Sequence, residues 1–121
     1  MKTALVIEDN EDNMVLITRL LAKAGFQALQ AVTGAEGVAM ALSRAPDFII
    51  LDIQLPDISG TEVLARIRAA GSQVPIIAMT SYAMAGDREK LLAAGCNGYI
   101  EKPIDPQRVI AQINSVLEGT A

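Results

Sequence analysis

Short apolar runs alternate along this chain with longer segments whose apolar residues recur at helical spacing. Five such pairs follow one another within 121 residues. Strands that alternate with helices predict βαβ units, which assemble into a parallel sheet covered by helices on both faces. We therefore expect a single α/β domain over residues 1–121.

The strand candidates differ in how continuously apolar they are. They are Ala4–Glu8, Gln27–Ala31, Phe48–Asp52, Ile76–Thr80 and Gly98–Glu101. The first, third and fourth contain unbroken apolar runs, which are typical of strands buried on both faces. The second and fifth mix polar and apolar residues and suit the edges of a sheet. This division agrees with the strand order 2-1-3-4-5.

Capping residues and glycines predict where the helices begin and end. The N-terminal signals are the capping-box pairs Thr33 with Glu36 and Ser59 with Glu62, and Pro106 at a first helical position; the C-terminal signals are Gly25, Gly71 and Gly95.

The fourth helix, around Ala85 to Ala94, carries a polar run and few large apolar side chains. We expect it to be a movable element, because weakly packed segments open most easily.

Composition excludes several classes of function. A net charge of -4 disfavours nucleic-acid binding, which relies on clustered lysine and arginine. The absence of histidine excludes catalytic triads that need an imidazole base. One cysteine, Cys96, cannot form an internal disulfide, and neither a signal peptide nor an apolar run of membrane-spanning length is visible. We expect a cytoplasmic protein that binds neither nucleic acid nor membrane.

Polar side chains stand at the carboxyl ends of four predicted strands. Glu8 and Asp9 end the first, Asp52 the third and Thr80 the fourth, while Lys102 follows the fifth. These ends meet at one edge of a parallel sheet, where ligands bind at the reversal of strand order. Like charges about 4 Å apart repel by about 4 kcal/mol at an effective dielectric of about 20, so one lysine cannot compensate three carboxylates. A divalent cation would balance the remaining charge, and Mg2+ is the cation best suited to a site built from such oxygen ligands.

This set of residues predicts metal-assisted phosphoryl transfer. Asp52 would be the nucleophile that attacks phosphorus to form an aspartyl phosphate. Mg2+ and Lys102 would stabilise the charge on the transferring oxygens, and the Thr80 hydroxyl would bind one of them.

Each residue also has a purely structural interpretation. Glu8–Asn10 fit a strand-to-helix turn with a side-chain cap, and Asp52 fits a turn residue shortly before a proline. Thr80 is an ordinary strand-end residue, and Lys102 an ordinary surface lysine. Tyr99 is most simply a half-buried aromatic on an edge strand, and the bond before Pro103 is equally consistent with the ordinary trans form. The coincidence of these residues at one sheet edge favours the functional interpretation.

The motifs that carry these residues resemble those of response-regulator receiver domains. They are Val6–Asn10, Leu51–Gly60, Met79–Thr80 and Tyr99–Pro103. The resemblance covers essentially the whole chain and implies a flavodoxin-like doubly wound (βα)5 fold. It also implies a phosphorylation-activated signalling switch of a two-component or phosphorelay system, with no attached output domain. Residues 8–13 and 94–99 look like those of DivK-type stand-alone regulators and hybrid-kinase receivers.

The resemblance further implies the roles of the acidic residues. Asp52 would accept a phosphoryl group from a sensor histidine kinase or a histidine phosphotransfer protein. Glu8, Asp9 and Asp52 would hold Mg2+ directly or through water, together with the backbone carbonyl of Gln54. Such a protein would catalyse only its own phosphorylation and dephosphorylation, and would not otherwise be an enzyme.

The switching residues are implied in the same way. Thr80 and Lys102 match phosphoryl-sensing positions, Tyr99 matches the switch aromatic, and the bond that links Lys102 to Pro103 is expected to be cis. Activation would change the face formed by the fourth helix, fifth strand and fifth helix, where a downstream protein would bind. Tyr82, two residues after Thr80, is bulky enough to screen an acyl phosphate from water.

Three alternatives remain at this point. A phosphate-independent scaffold with the same fold would not need the intact acidic, hydroxyl and lysine positions. An aspartate-nucleophile phosphatase would carry its nucleophile on the first strand and a second Asp two residues later, whereas Gln54 follows Asp52. An FMN-binding flavodoxin has the same topology, but the acidic loop Glu8–Asp12 would repel the cofactor phosphate.

Overall fold

The computed structural model describes residues 2–81 and 85–119. Within these ranges the strands are β1 Thr3–Ile7, β2 Gln27–Ala31, β3 Phe48–Asp52, β4 Ile76–Thr80 and β5 Gly98–Glu101. The helices are α1 Glu11–Lys23, α2 Gly34–Ser43, α3 Gly60–Ala69, α4 Ala85–Ala93 and α5 Val109–Gly119. The strands pair in parallel in the order β2-β1-β3-β4-β5, which confirms the predicted order. Only β1 differs from its predicted bounds, by one residue at each end.

The sheet separates two apolar cores because successive side chains of a strand point to opposite faces. Ala4 and Val6 pack with residues of α1 and α5, whereas Leu5 and Ile7 pack with residues of α2, α3 and α4. Strands β3 and β4 are buried at every residue, while β2 and β5 are partly exposed. The continuous and mixed runs of the sequence therefore predicted central and edge strands correctly.

The predicted caps are present. Thr33 accepts a hydrogen bond from the Glu36 amide at the start of α2, and Ser59 accepts one from the Glu62 amide at the start of α3. Positive φ angles of 93°, 89° and 111° occur at Gly25, Gly71 and Gly95, respectively. These three glycines follow α1, α3 and α4 and adopt the left-handed conformation that ends a helix.

The start of α5 differs from its prediction. Pro106 lies in a turn, and the helix begins three residues later, at Val109. Asp105 holds this turn, because its carboxylate accepts the Gln107 amide at 2.9 Å and its carbonyl accepts the Val109 amide at 3.0 Å. The residues between 105 and 109 thus form a lead-in turn rather than the first turn of the helix.

Helix α4 is lightly packed over the side chains that the structure describes, as its polar run predicted. Among its side chains at 88–93, only Leu91 is buried, and Leu92 is 50% exposed.

The connection that follows α4 is attached to α3 by Arg68. Its guanidinium donates to the Gly95 carbonyl at 2.9 and 3.1 Å, to the Ser72 carbonyl at 3.1 Å and to the Asn97 side chain at 3.0 Å.

Arg68→Ala should lower the free energy of unfolding by about 1–2 kcal/mol, because charged donors to carbonyls contribute about 1.5–3 kcal/mol and partial exposure reduces this. Urea denaturation measures the change. Arg66→Ala is the matched control on the same helix. Within the described ranges the side chain of Arg66 makes an exposed pair with Glu62 and no other polar contact, so this variant should cost about 0.5 kcal/mol or less. Equal losses in the two variants would show that Arg68 does not hold the α4–β5 connection.

Among the described residues, no helix is both long and apolar enough to cross a membrane.

Candidate functional site

Three carboxylates converge at the carboxyl end of the sheet. Strands β1 and β3 are neighbours, with Ile7 paired to Leu51, so the next residues, Glu8 and Asp52, lie side by side. One oxygen each of Glu8, Asp9 and Asp52 lies within 4.8 Å of the others. Glu8 is 0% and Asp52 2% exposed, whereas Asp9 is exposed. The structure thus brings together the acidic residues that the sequence predicted.

Lys102 reaches this cluster from the end of β5. Its ammonium nitrogen lies 3.1 Å from Asp52 Oδ1 and 3.4 Å from Glu8 Oε2. The Lys102 amide donates to the Thr80 carbonyl at 2.9 Å, and the bond to Pro103 is cis, as the resemblance implied. The ordinary interpretations, a solvated lysine and a trans bond, are therefore both wrong.

Backbone amides also contact the two buried carboxylates. Asn10 donates to Glu8 Oε1 at 3.1 Å, and Gln54 donates to Asp52 Oδ1 at 3.0 Å. Burial, and then the nearby Asp52 carboxylate, raise the pKa of Glu8 above its ordinary value. Lys102 and the Asn10 amide act in the opposite direction, but they do not cancel these effects.

The donor atoms suit a hard divalent cation. Glu8 Oε2 is buried without a hydrogen-bond partner, although Lys102 lies near it. Carboxylate oxygens on three residues, two of them desolvated, form the type of site that Mg2+ prefers. A cation bound here would add positive charge where the lysine alone leaves a buried carboxylate oxygen without a hydrogen bond.

The structure also describes Thr80, Tyr99 and Asn10. Thr80 is 3% exposed and ends β4, one residue beyond Met79, which pairs with Asp52. Tyr99 is half-buried, as expected of an aromatic on an edge strand, and packs against the α2–α4 side of the sheet. Tyr82 lies outside the described residues. The cap interpretation holds for Asn10, whose side chain caps α1.

Two further contacts were not predicted. Arg88 of α4 places its guanidinium carbon 4.7 Å from the centre of the Tyr99 ring, a cation–π contact. Asp57 accepts hydrogen bonds from the amides of Gly34 and Ala35 at the start of α2. Neither had a local signal in the sequence, because the partners are at least 11 residues apart.

Comparison with known proteins gives one consistent result. The family model "Response regulator receiver domain" matches residues 4–114. The polar-differentiation response regulator DivK of Brucella anthropi is 39% identical over 118 residues, which are 96% of each chain.

Solved structures agree with this family. The receiver domain of the sensor histidine kinase PA1611 from Pseudomonas aeruginosa PAO1, which has a magnesium ion in its active site cleft, is 33% identical with a TM-score of 0.86 over 97% of this chain and 98% of that one. A CheY-like receiver domain from Methanospirillum hungatei JF-1 is 28% identical, with a TM-score of 0.89 over 98% and 95%.

Receiver domains are signalling proteins rather than classical enzymes, and they interact with histidine kinases or phosphotransfer proteins and with downstream effectors. The fold, the acidic cluster beside a lysine and the match over nearly the whole sequence all lead to the same assignment. This chain belongs to the response regulator receiver domain family and is a DivK-type, phosphorylation-activated signalling switch of two-component systems.

Proposed function

We propose that Asp52 of this chain accepts a phosphoryl group from the phosphohistidine of a sensor kinase or a phosphotransfer protein. The observation that carries the proposal is the ion-pair geometry of Lys102, which lies 3.1 Å from Asp52 Oδ1 and 3.4 Å from Glu8 Oε2, both buried carboxylates. A buried carboxylate beside a cation at a sheet edge is suited to act as a nucleophile toward phosphorus.

The metal ligands follow from the same cluster. Glu8, Asp9 and Asp52 would hold Mg2+ directly or through water, and the Gln54 carbonyl would complete the set. When bound, Mg2+ would neutralise negative charge on the oxygens of the transferring group. The proposal is supported by the unpartnered Glu8 Oε2 and by the short distances among the three carboxylates.

The transfer balances without another reactant. An oxygen of Asp52 forms the new bond to phosphorus while the bond from phosphorus to the donor imidazole nitrogen breaks. That nitrogen keeps the electron pair of the broken bond, and a donor ring protonated at its other nitrogen leaves as neutral imidazole. Lys102 would then pair with a phosphoryl oxygen, and the Thr80 hydroxyl would bind another. The protein would be its own substrate in this reaction and in the later hydrolysis.

The output would pass through the face formed by α4, β5 and α5. Phosphorylation would draw Thr80 toward the phosphoryl group and would move the ring of Tyr99 inward. Tyr99 shortly precedes Lys102–Pro103 in the sequence. An inward Tyr99 ring would leave Arg88, and the sparse packing of α4 would let that helix adjust. We propose that a downstream protein recognises the change, in the cytoplasm and without nucleic acid or membrane.

Incubation with acetyl phosphate, followed by intact mass, tests the proposal. Wild type should gain one phosphoryl group with Mg2+ and none with EDTA. The absence of an adduct on folded protein in Mg2+ would instead favour the phosphate-independent scaffold, because that function needs no acceptor.

A further inference from the structure

Asp57 joins the loop after β3 to a distant helix. Its two carboxylate oxygens accept hydrogen bonds from Gly34 at 2.8 Å and from Ala35 at 2.9 Å. These amides are the first two of α2, which have no partners inside the helix. The Thr33 cap satisfies a different amide, that of Glu36. Asp57 is thus a second cap for α2, supplied from another segment of the chain.

The loop that carries Asp57 also forms part of the acidic site. At its start, the Gln54 amide donates to Asp52 Oδ1, and the Ile53 amide donates to the Met79 carbonyl at 3.1 Å. At its end, the Gly60 amide donates to the Ile53 carbonyl at 2.9 Å. Asp57 attaches the middle of residues 53–59 to α2, while the other bonds hold its two ends.

The start of α2 is a firm support for this loop. A Cβ atom on Gly34 would lie 2.5 Å from Ile58 Cγ1, and one on Gly37 would lie 2.5 Å from Ile7 Cδ1. The helix therefore packs so closely against the loop and against β1, the strand that leads into Glu8, that neither glycine position has room for a side chain. A movement of the loop away from α2 would have to break the two hydrogen bonds of Asp57.

Asp57 remains charged in this position. The amides of Ala35 and Gly34 lower its pKa to about 2. Because this value lies below the ordinary 3.8, the bonds stabilise the fold above that ordinary pKa and are lost as the pH falls toward about 2. At neutral pH the contact is therefore fully formed.

We propose that Asp57 is a positioning residue that holds the loop on α2, so that the backbone of Gln54 stays beside Asp52 in the arrangement that Mg2+ binding requires. The part of this inference that concerns Mg2+ rests on the proposed function. The part that concerns the loop does not, because it depends only on the hydrogen bonds of Asp57 with α2 and of the Gln54 amide with Asp52.

The test compares two ways of uncapping the same helix. Asp57→Ala removes the cap that also holds the loop, whereas Thr33→Ala removes a cap that α2 receives from the residue directly before it. Hydrogen exchange of the Gln54 amide, followed by NMR on metal-free protein, should accelerate in Asp57→Ala and stay at the wild-type rate in Thr33→Ala. Asp57→Asn keeps one acceptor oxygen and the same size, so it should fall between wild type and Asp57→Ala even if the alanine variant folds poorly.

A Mg2+ titration of the same samples provides the second readout. Asp57→Ala should bind Mg2+ about threefold to tenfold more weakly. Mutation of a residue that hydrogen-bonds directly to a metal-ligating residue changes metal affinity by roughly 10- to 100-fold, and Asp57 acts one step further from the metal than such a residue. Thr33→Ala should bind as wild type does.

The outcomes separate the two proposals. If wild type fails to bind Mg2+, the proposed function and the metal part of this inference both fail, while faster Gln54 exchange in Asp57→Ala alone would still establish its hold on the loop. If wild type binds Mg2+ and Asp57→Ala binds it equally well, or if both alanine variants change alike, Asp57 is only a helix cap and the inference is overturned.

Discussion

Asp52→Asn should take up no phosphoryl group from acetyl phosphate under conditions in which wild type forms a Mg2+-dependent adduct. The amide has the size of the carboxylate but lacks its nucleophilic charge, so the acyl phosphate cannot form. The fold should survive, since the side-chain carbonyl oxygen of the introduced asparagine can still accept the Gln54 amide that now bonds Asp52. Intact mass over time, with and without EDTA, measures the loss.

Asp47→Asn is the matched control for this experiment. Asp47 precedes β3 at the opposite end of the same strand, where its carboxylate accepts the Thr3 amide at 2.6 Å. This exposed residue lies far from the acidic cluster, so its amide variant should form the adduct at the wild-type rate. An adduct on Asp52→Asn at that same rate would mean that another group accepts the phosphate.

Glu8→Gln should change the protein in two opposite directions. In EDTA at neutral pH, the free energy of unfolding should rise by about 1 kcal/mol, because the variant removes a buried negative charge that repels Asp52, while Lys102 keeps Asp52 as its partner. Glu8 is fully buried beside Asp52, and its Oε2 has no hydrogen-bond partner. The affinity for Mg2+ should fall by about tenfold or more, since a carboxylate ligand is lost.

The pH dependence of the same variant follows from the pKa of Glu8. This pKa is raised in the fold, so protonated Glu8 is favoured there and stability is lost as the pH rises through the raised value. Below the ordinary pKa of 4.5 wild type and Glu8→Gln should differ least, and the advantage of the variant should grow toward neutral pH.

Urea denaturation in EDTA and in saturating Mg2+ measures both effects. Mg2+ should stabilise wild type, because a ligand that binds only the folded protein shifts the equilibrium toward it, and should stabilise Glu8→Gln much less. Glu11→Gln, at an exposed position in the first turn of α1, is the control and should change little in either condition. A Glu8→Gln protein that is less stable than wild type in EDTA would show that Lys102 already compensates the Glu8 charge.

Much of the fold and the acidic site was predictable from local patterns. Unbroken apolar runs identified β1, β3 and β4 as central strands, because a strand covered on both faces cannot alternate. Because parallel strands end at the same edge of a sheet, the strand ends alone predicted that Glu8, Asp52 and Lys102 lie together, although they are distant along the chain. The caps at Thr33 and Ser59 were equally predictable from the sequence, because their hydrogen-bond partners lie three residues away.

Tertiary structure alone decided which long-range partners these elements found. Asp57 bonds amides 22 and 23 residues away, and Arg68 bonds a carbonyl 27 residues away. No periodicity encodes such pairs, because they depend on how loops meet after the helices have packed on the sheet. The sequence by itself determined the layers, the strand order and the chemistry at the sheet edge, since hydrophobic period and strand ends are local properties. The contacts of Asp57, Arg68 and Arg88 arise only when separate segments are brought within hydrogen-bonding or ring-contact distance.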